Sequence, residues 1–224
     1  MVGVPGPIVV AVLTRAPSRG GKSRLFAALG CSPDATLLSA LLLDTLDGVT
    51  LSGTTRVVFV DPADACDDVR ALVPRDVDVR AQPEGSLGER MRDTMASLFA
   101  GGASIVVLVG SDLPDISTST IGDAIAMLRS EPASLVLGPA HDGGYYLIAA
   151  TTTPNVFDGV EWGSPRVLAQ TRSVAERQGL RVLLTDWLRD VDTPDDLRAV
   201  RAPRTRAWLA DREGNASEAA DWRV

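Results

Sequence analysis

Lysine and histidine are nearly missing from this 224-residue chain: Lys22 is the sole lysine among 22 basic residues, and His141 is the sole histidine. One imidazole cannot build a multi-histidine zinc site, and a histidine-based triad would have to use His141. Metal chemistry therefore falls to carboxylates. Cys31 and Cys66 are the only cysteines and lie far apart, which excludes a disulfide framework, a CxxC motif and a metal knuckle and points to the cytoplasm. The opening MVGVPGPIVVAVLTR has no basic n-region. No apolar run approaches the roughly 20 residues that span a bilayer, so no membrane anchor is expected. A net charge of -7 argues against a broad nucleic-acid or anionic-membrane surface, although the local cluster Arg15, Arg19, Lys22 and Arg24 can still hold phosphate.

What is present is 45% apolar and 23% charged content, the profile of a soluble globular protein. Apolar runs of strand length alternate with segments of helical period, the pattern of a parallel sheet covered on both faces. The reading is a single α/β domain with a mostly parallel central sheet flanked by helices, with strands over 8–13, 55–60, 77–81, 104–109, 134–138, 145–150 and 181–185. Helix starts are expected at Ser32-Pro33, at Ser86 with Glu89 as a capping box, at Ser164-Pro165 and at Thr193-Pro194 with Asp196. Residues 1–202 make the domain, and 203–224 read as a C-terminal tail or frayed helix.

TRAPSRGGKSRL, residues 14–25, joins the first strand to the first helix and carries four cations. Backbone N–H groups at a helix start favour an anion, and Gly20-Gly21 lets the backbone come close to it. This makes Arg15, Lys22 and Arg24 candidate phosphate ligands, with a solvated basic loop as the plainer alternative. Residues 16–23 also fit a relaxed P-loop, for which SIVVLVGSD would supply a Walker-B-like Asp112, but alanine and proline stand where tight wrapping needs glycine.

SIVVLVGSDLPD places Asp112 beyond an apolar strand, where open α/β sheets collect ligands, and DWLRDVDTPDDL brings Asp190 and Asp192 to a second strand-helix junction. If Thr193 caps the helix, Asp192 is left to face the site. Hard divalent cations prefer oxygen, so Asp112 and Asp192 are the expected ligands for Mg²⁺ or Mn²⁺. GPAHDGGYYLIAA reads as a hairpin on its Asp-Gly turn signal. The same segment could form a sugar or acceptor wall, with Asp142 binding hydroxyls or accepting a proton and Gly143, Gly144 and Tyr145 beside it. Trp162 reads either as an apolar platform for that ligand or as a half-buried core residue.

AVLTRAPSRGGKSRL, GSDLPD, GPAHDGGYYLIAA, WGSPRVL and DVDTPDDL occur in the order of one family. Over about residues 8–200 the chain resembles the arsenosugar-biosynthesis-type glycosyltransferases of the nucleotide-diphospho-sugar transferase (GT-A) superfamily. Molybdenum-cofactor and phospholactate guanylyltransferases belong to the same superfamily. The resemblance implies that Lys22 and Arg24 bind phosphate, that Asp112 and Asp192 hold the metal, that Gln82, Gly85 and Leu87 recognise the base, and that Asp142 to Tyr145 face the second substrate.

The partners then expected are a nucleotide sugar or a nucleoside triphosphate together with a small-molecule acceptor, and no nucleic acid or membrane. DGGYYL favours glycosyl transfer, with Asp142 and Lys22 as the catalytic pair, and this is the leading expectation. The basic loop favours the alternative, nucleotidylyl transfer to a phosphorylated acceptor with loss of pyrophosphate, because a triphosphate needs more cations than a sugar-linked diphosphate. A P-loop kinase or a noncatalytic nucleotide-binding protein are the remaining readings.

Overall fold

The computed structural model describes residues 6–132 and 134–221. The seven expected strands form: β1 (Ile8–Arg15), β2 (Thr54–Asp61), β3 (Asp78–Ala81), β4 (Ile105–Gly110), β5 (Ser134–Pro139), β6 (Tyr145–Ala150) and β7 (Arg181–Leu184). They make one sheet in the order β3-β2-β1-β4-β6-β5-β7, parallel except for β6, which runs against both of its neighbours.

Side chains alternate across each strand, so every core strand feeds two layers. Val10, Val12, Val58 and Val107 face α2 (Ala35–Gly48), α3 (Cys66–Leu72) and α5 (Thr118–Ser130); Val9, Ala11, Phe59 and Leu108 face α4 (Leu87–Ala100) and α6 (Val167–Arg177). Burial on both faces is why these strands read as unbroken apolar runs. Among the described residues no helix is long and apolar enough to cross a membrane.

Two of the expected caps form as read. Ser86 and Glu89 close a capping box on α4, and Thr193 and Asp196 close one on α7 (Pro194–Ala199). The other two differ. α2 starts at Ala35 rather than at Ser32-Pro33, because the Asp34 carboxylate accepts from the Thr36 N–H at 2.7 Å and an anion suits the positive helix end. α6 starts at Val167 rather than at Ser164-Pro165. The reason is tertiary: Gly143, at φ +90°, is pressed against Pro165 so closely that a Cβ on it would meet the Pro165 carbonyl oxygen at 2.2 Å. That contact holds 164–166 as a turn.

α8 (Pro203–Asp221) packs on α2. Asp44, buried on α2, accepts from the Thr205 N–H and hydroxyl, both at 2.8 Å, and from the Arg204 guanidinium at 3.1 Å. Trp208 donates its indole N–H to Asp34 at 2.9 Å. Beneath these bonds lies a small core in which Leu209 of α8 meets Leu25 and Phe26 of α1 (Ser23–Ala28) and Val191.

Losing a buried, multiply bonded carboxylate leaves its donors unpaired. Asp44→Ala is therefore expected to cost about 3 kcal/mol in denaturant unfolding. Asp47→Ala, which removes an exposed pair with the same arginine, should cost under about 1 kcal/mol. Equal losses would show that burial of Asp44 is not what anchors α8.

Candidate active site

Strand order decides where the chemistry gathers. β1 lies between β2 and β4, so the chain leaves this strand to one side for β2 and β3 and returns on the other side for β4. The crevice at such a switch point, beyond the carboxyl ends of the strands, is where these sheets bind ligands. Leu13 of β1 pairs with Gly110 of β4, which sets the cationic loop and Asp112 side by side. The β5-β6 hairpin and the segment after β7 reach the same edge, tied by a bridge between Ala140 and Leu188.

The cationic loop makes a 3-10 turn over Pro17–Arg19 and then turns sharply through Gly20 (φ +70°) and Gly21 (φ +142°). Side chains rarely accept either conformation, which explains the glycine pair. Lys22 follows in the left-handed region at φ +48°, and its carbonyl accepts the first bond of α1, from Phe26, at 3.1 Å. Its ammonium points into the crevice, donating to Asp112 and, at 2.6 Å, to Asp192. Arg19 pairs with Asp64 at 3.0 Å, while Arg15 and Arg24 are exposed near the loop.

Asp192 is free to do this because Asp196 takes over the local capping work, accepting from the Thr193 N–H at 2.8 Å. Asp190 joins the pair: Asp112, Asp190 and Asp192 each bring a carboxylate oxygen to within 4.8 Å of the others. The sequence singles out Asp112 and Asp192, and the structure sets Asp190 beside them. The signal was available, since alternate residues of an extended segment share a face and Val191 between them points into the α1-α8 core. Val191 N–H also donates to the Asp112 carbonyl at 3.1 Å, which fixes the two acidic loops to each other.

Burial, with the nearby charges of Asp112 and Asp192, pushes the Asp190 carboxyl up to about 6. Burial works against the Lys22 ammonium, but Asp112 and then Asp192 outweigh it and hold its pKa above the ordinary lysine range. The donor set suits a hard divalent cation such as Mg²⁺ or Mn²⁺, all oxygen and anionic, and a cation already stands among these oxygens in the form of the Lys22 ammonium.

Three clefts share Asp112 as a wall. One, of about 300 Å³, runs along Leu13, Leu87, Met91 and Leu147, and the remaining two carry the charged groups. Of these two, one, of about 220 Å³, is lined by Thr14, Arg15, Gly20, Gly21, Lys22 and Ser111 with Asp112. The other, of about 230 Å³, is lined by Asp112, Asp142, Gly144, Tyr145, Trp162 and Asp190, with Leu87 at its rim. Asp142 also has a structural job, since one of its carboxylate oxygens accepts from the Gly144 N–H at 2.8 Å and shapes the turn. Trp162 is half-buried on the wall of the Asp142 cleft: its indole packs on Gly88, where a Cβ would come within 2.7 Å, and its ring meets Tyr145 edge-on at 6.2 Å.

Gln82 and Gly85, two residues of the expected base-recognition loop, line none of the three clefts. The Gln82 amide instead donates to the carbonyls of Thr14, at 2.8 Å, and Phe59, at 3.1 Å, clamping β1 to β2. In a P-loop the metal partners are a loop hydroxyl and a strand-end aspartate, whereas here Asp192, from the segment after β7, also bonds Lys22, at 2.6 Å.

The family described as "Uncharacterized protein conserved in bacteria (DUF2064)" matches residues 45–164. A phosphoenolpyruvate guanylyltransferase of Mycobacterium sp. (strain KMS) is 31% identical over 199 residues, covering 87% of this chain and 85% of that one. Among solved structures, one from Desulfovibrio desulfuricans G20, named provisionally as a nucleotide-diphospho-sugar transferase, is 31% identical with a TM-score of 0.82, covering 92% and 95%. CMP:2-keto-3-deoxy-manno-octonic acid synthetase, solved with CTP, shares the fold at 16% identity and a TM-score of 0.55, covering 92% and 99%. These likenesses place the chain among the transferases and carry the guanylyltransferase side of the resemblance rather than its arsenosugar side.

A carboxyl whose folded pKa is raised binds its proton more tightly folded than unfolded, so it lowers stability as pH rises from its unfolded value toward its folded one. For Asp190 that window runs from the ordinary aspartate value of 3.8 to about 6. After allowance for solvent screening the loss is about 1 to 2 kcal/mol. Asp190→Asn should therefore melt higher than the parent at pH 7 without divalent ion and gain less than the parent when Mn²⁺ is added. A lower melt without ion would refute the strain assigned to this carboxylate.

Proposed function

The chain belongs to the bacterial family described above and is homologous to the phosphoenolpyruvate guanylyltransferases, and from that premise we propose that it transfers a nucleotidyl group from a nucleoside triphosphate to a small phosphorylated acceptor. The observation that carries the reading is that Asp112 is a shared wall of the two charged clefts. One has the glycines and cations that suit phosphates, and the other has room for a small acceptor. A nucleotide in the first and an acceptor in the second would meet beside the Lys22-Asp112-Asp192 cluster.

In this reaction an oxygen of the acceptor phosphate attacks the α-phosphorus, the bond from that phosphorus to the bridging oxygen breaks, and pyrophosphate leaves with the electron pair. Lys22, Arg15 and Arg24 stabilise the charge that gathers on the leaving group. Backbone N–H groups after Gly20-Gly21 hold the phosphates without a side chain in the way. Asp142, Gly144, Tyr145 and Trp162 orient the acceptor, and their fixed placement lowers the entropy cost of the encounter. A divalent ion held by Asp112, Asp190 and Asp192 would supply Lewis-acid stabilisation of the phosphoryl oxygens.

Glycosyl transfer is the second reading, and one observation favours it. The acceptor cleft has Trp162, Tyr145 and Asp142 on its wall and neither lysine nor arginine, a surface that suits a sugar's apolar face and hydroxyls better than a bare anion.

Product analysis separates the two. With GTP or another nucleoside triphosphate, phosphoenolpyruvate and Mn²⁺, pyrophosphate release coupled to a new nucleotidyl product is expected. Nucleoside diphosphate released from a nucleotide sugar, with no pyrophosphate from any triphosphate, would move the assignment to glycosyl transfer. Lys22→Ala should lower kcat/KM by about 100-fold or more, since charge-assisted contacts to a leaving phosphate act mainly in the transition state.

A further inference from the structure

Lys22 belongs to both halves of the site at once. Its ammonium donates to Asp112 and to Asp192, at 2.6 Å from the latter, while its side chain also lines the phosphate cleft. A divalent ion bound through these oxygens would stand about 2.0 to 2.6 Å from each. An ammonium that donates to Asp112 and Asp192 would then stand beside an ion held by the same carboxylates, at a separation where like charges repel strongly. The two cations therefore compete for the same carboxylates.

Lys22 has somewhere else to go. Its backbone is held by the Gly20-Gly21 turn and by the start of α1, but four methylenes separate that anchor from the charge. The phosphate cleft begins at the same residue. A lysine is suited to such a move because its charge is compact and its donors rotate freely, whereas a guanidinium would bind the carboxylates in a fixed fork. This is the one position where a chain otherwise built on arginine uses lysine.

We propose that Lys22 is an exchangeable counter-ion: in the free protein it neutralises the metal-binding carboxylates, and it passes to the nucleotide phosphates when the metal-nucleotide complex enters. The inference rests on reading the acidic triad as the metal site and the loop as the phosphate site. Metal alone must displace the ammonium without giving it a new partner. Metal with nucleotide supplies both the replacement cation and the new anion, so the two bind cooperatively.

The consequence is a pair of effects of opposite sign. Lys22→Met and Lys22→Gln should bind Mn²⁺ alone about tenfold more tightly than the parent, and preformed Mn²⁺-tripolyphosphate about tenfold more weakly. Paramagnetic resonance of free Mn²⁺ and calorimetry read these without turnover. Lys22→Arg keeps the charge and should retain the weak Mn²⁺ binding of the parent, so the comparison survives if the neutral variants fold poorly. Unchanged or weaker Mn²⁺ binding in the neutral variants would overturn the proposal, as would tighter binding of both probes. Absence of Mn²⁺ binding from all forms, the parent included, would remove the metal site and the exchange together. Nucleotidylyl transfer itself is judged separately, by pyrophosphate release.

Discussion

Three carboxylates within 4.8 Å of one another repel by about 3 kcal/mol per pair at an effective dielectric of 20, and a cation among them relieves that repulsion. Lys22 supplies it. The ammonium joins the strand-β4 loop to the segment before α7, and through its own backbone it joins both to the glycine turn after β1. Around this cluster the other features fall into place: the raised carboxyl of Asp190, the charged clefts that meet at Asp112, and the use of lysine at one position only.

Holding that cluster is the work of a second layer. α1 begins directly after Lys22, and Val191 sits between Asp190 and Asp192; the two share a core with Leu197 and Leu209. α8 closes that core from outside, fastened to α2 by buried Asp44 and by the Trp208-Asp34 bond. The loops that carry the opposing charges are thus packed against one apolar block, and their separation is set by side-chain volume rather than by the charges alone. A site of this kind tolerates charge repulsion because the core and caps around it offset the cost.

The wall of the cleft beside Asp142 follows a similar logic. Gly143 and Pro165 touch backbone to backbone, and the Leu168 N–H donates to the Gly143 carbonyl at 3.0 Å. The hairpin and the turn before α6 therefore form one unit, which carries Asp142, Tyr145 and Trp162 to the cleft together. This explains why DGGYYL and WGSPRVL, separated along the chain, carry the family resemblance jointly.

Period-two and period-3.6 patterns are local, and so the sequence by itself determined the α/β class, the seven strands, the capping boxes at Ser86 and Thr193, and the strand ends that hold Asp112, Asp192 and Lys22. A glycine pair and a carboxylate beyond an apolar strand are likewise readable, because each states a backbone need or a ligand preference of its own. Sheet order is not local. Only the tertiary structure decided that β1 and β4 are neighbours, that Asp190 completes the acidic triad, that Gln82 spends its amide on the sheet, and that Pro165 buttresses a hairpin instead of opening a helix. Each of these depends on which segments meet across the fold, and the pattern along one segment carries no record of its partner.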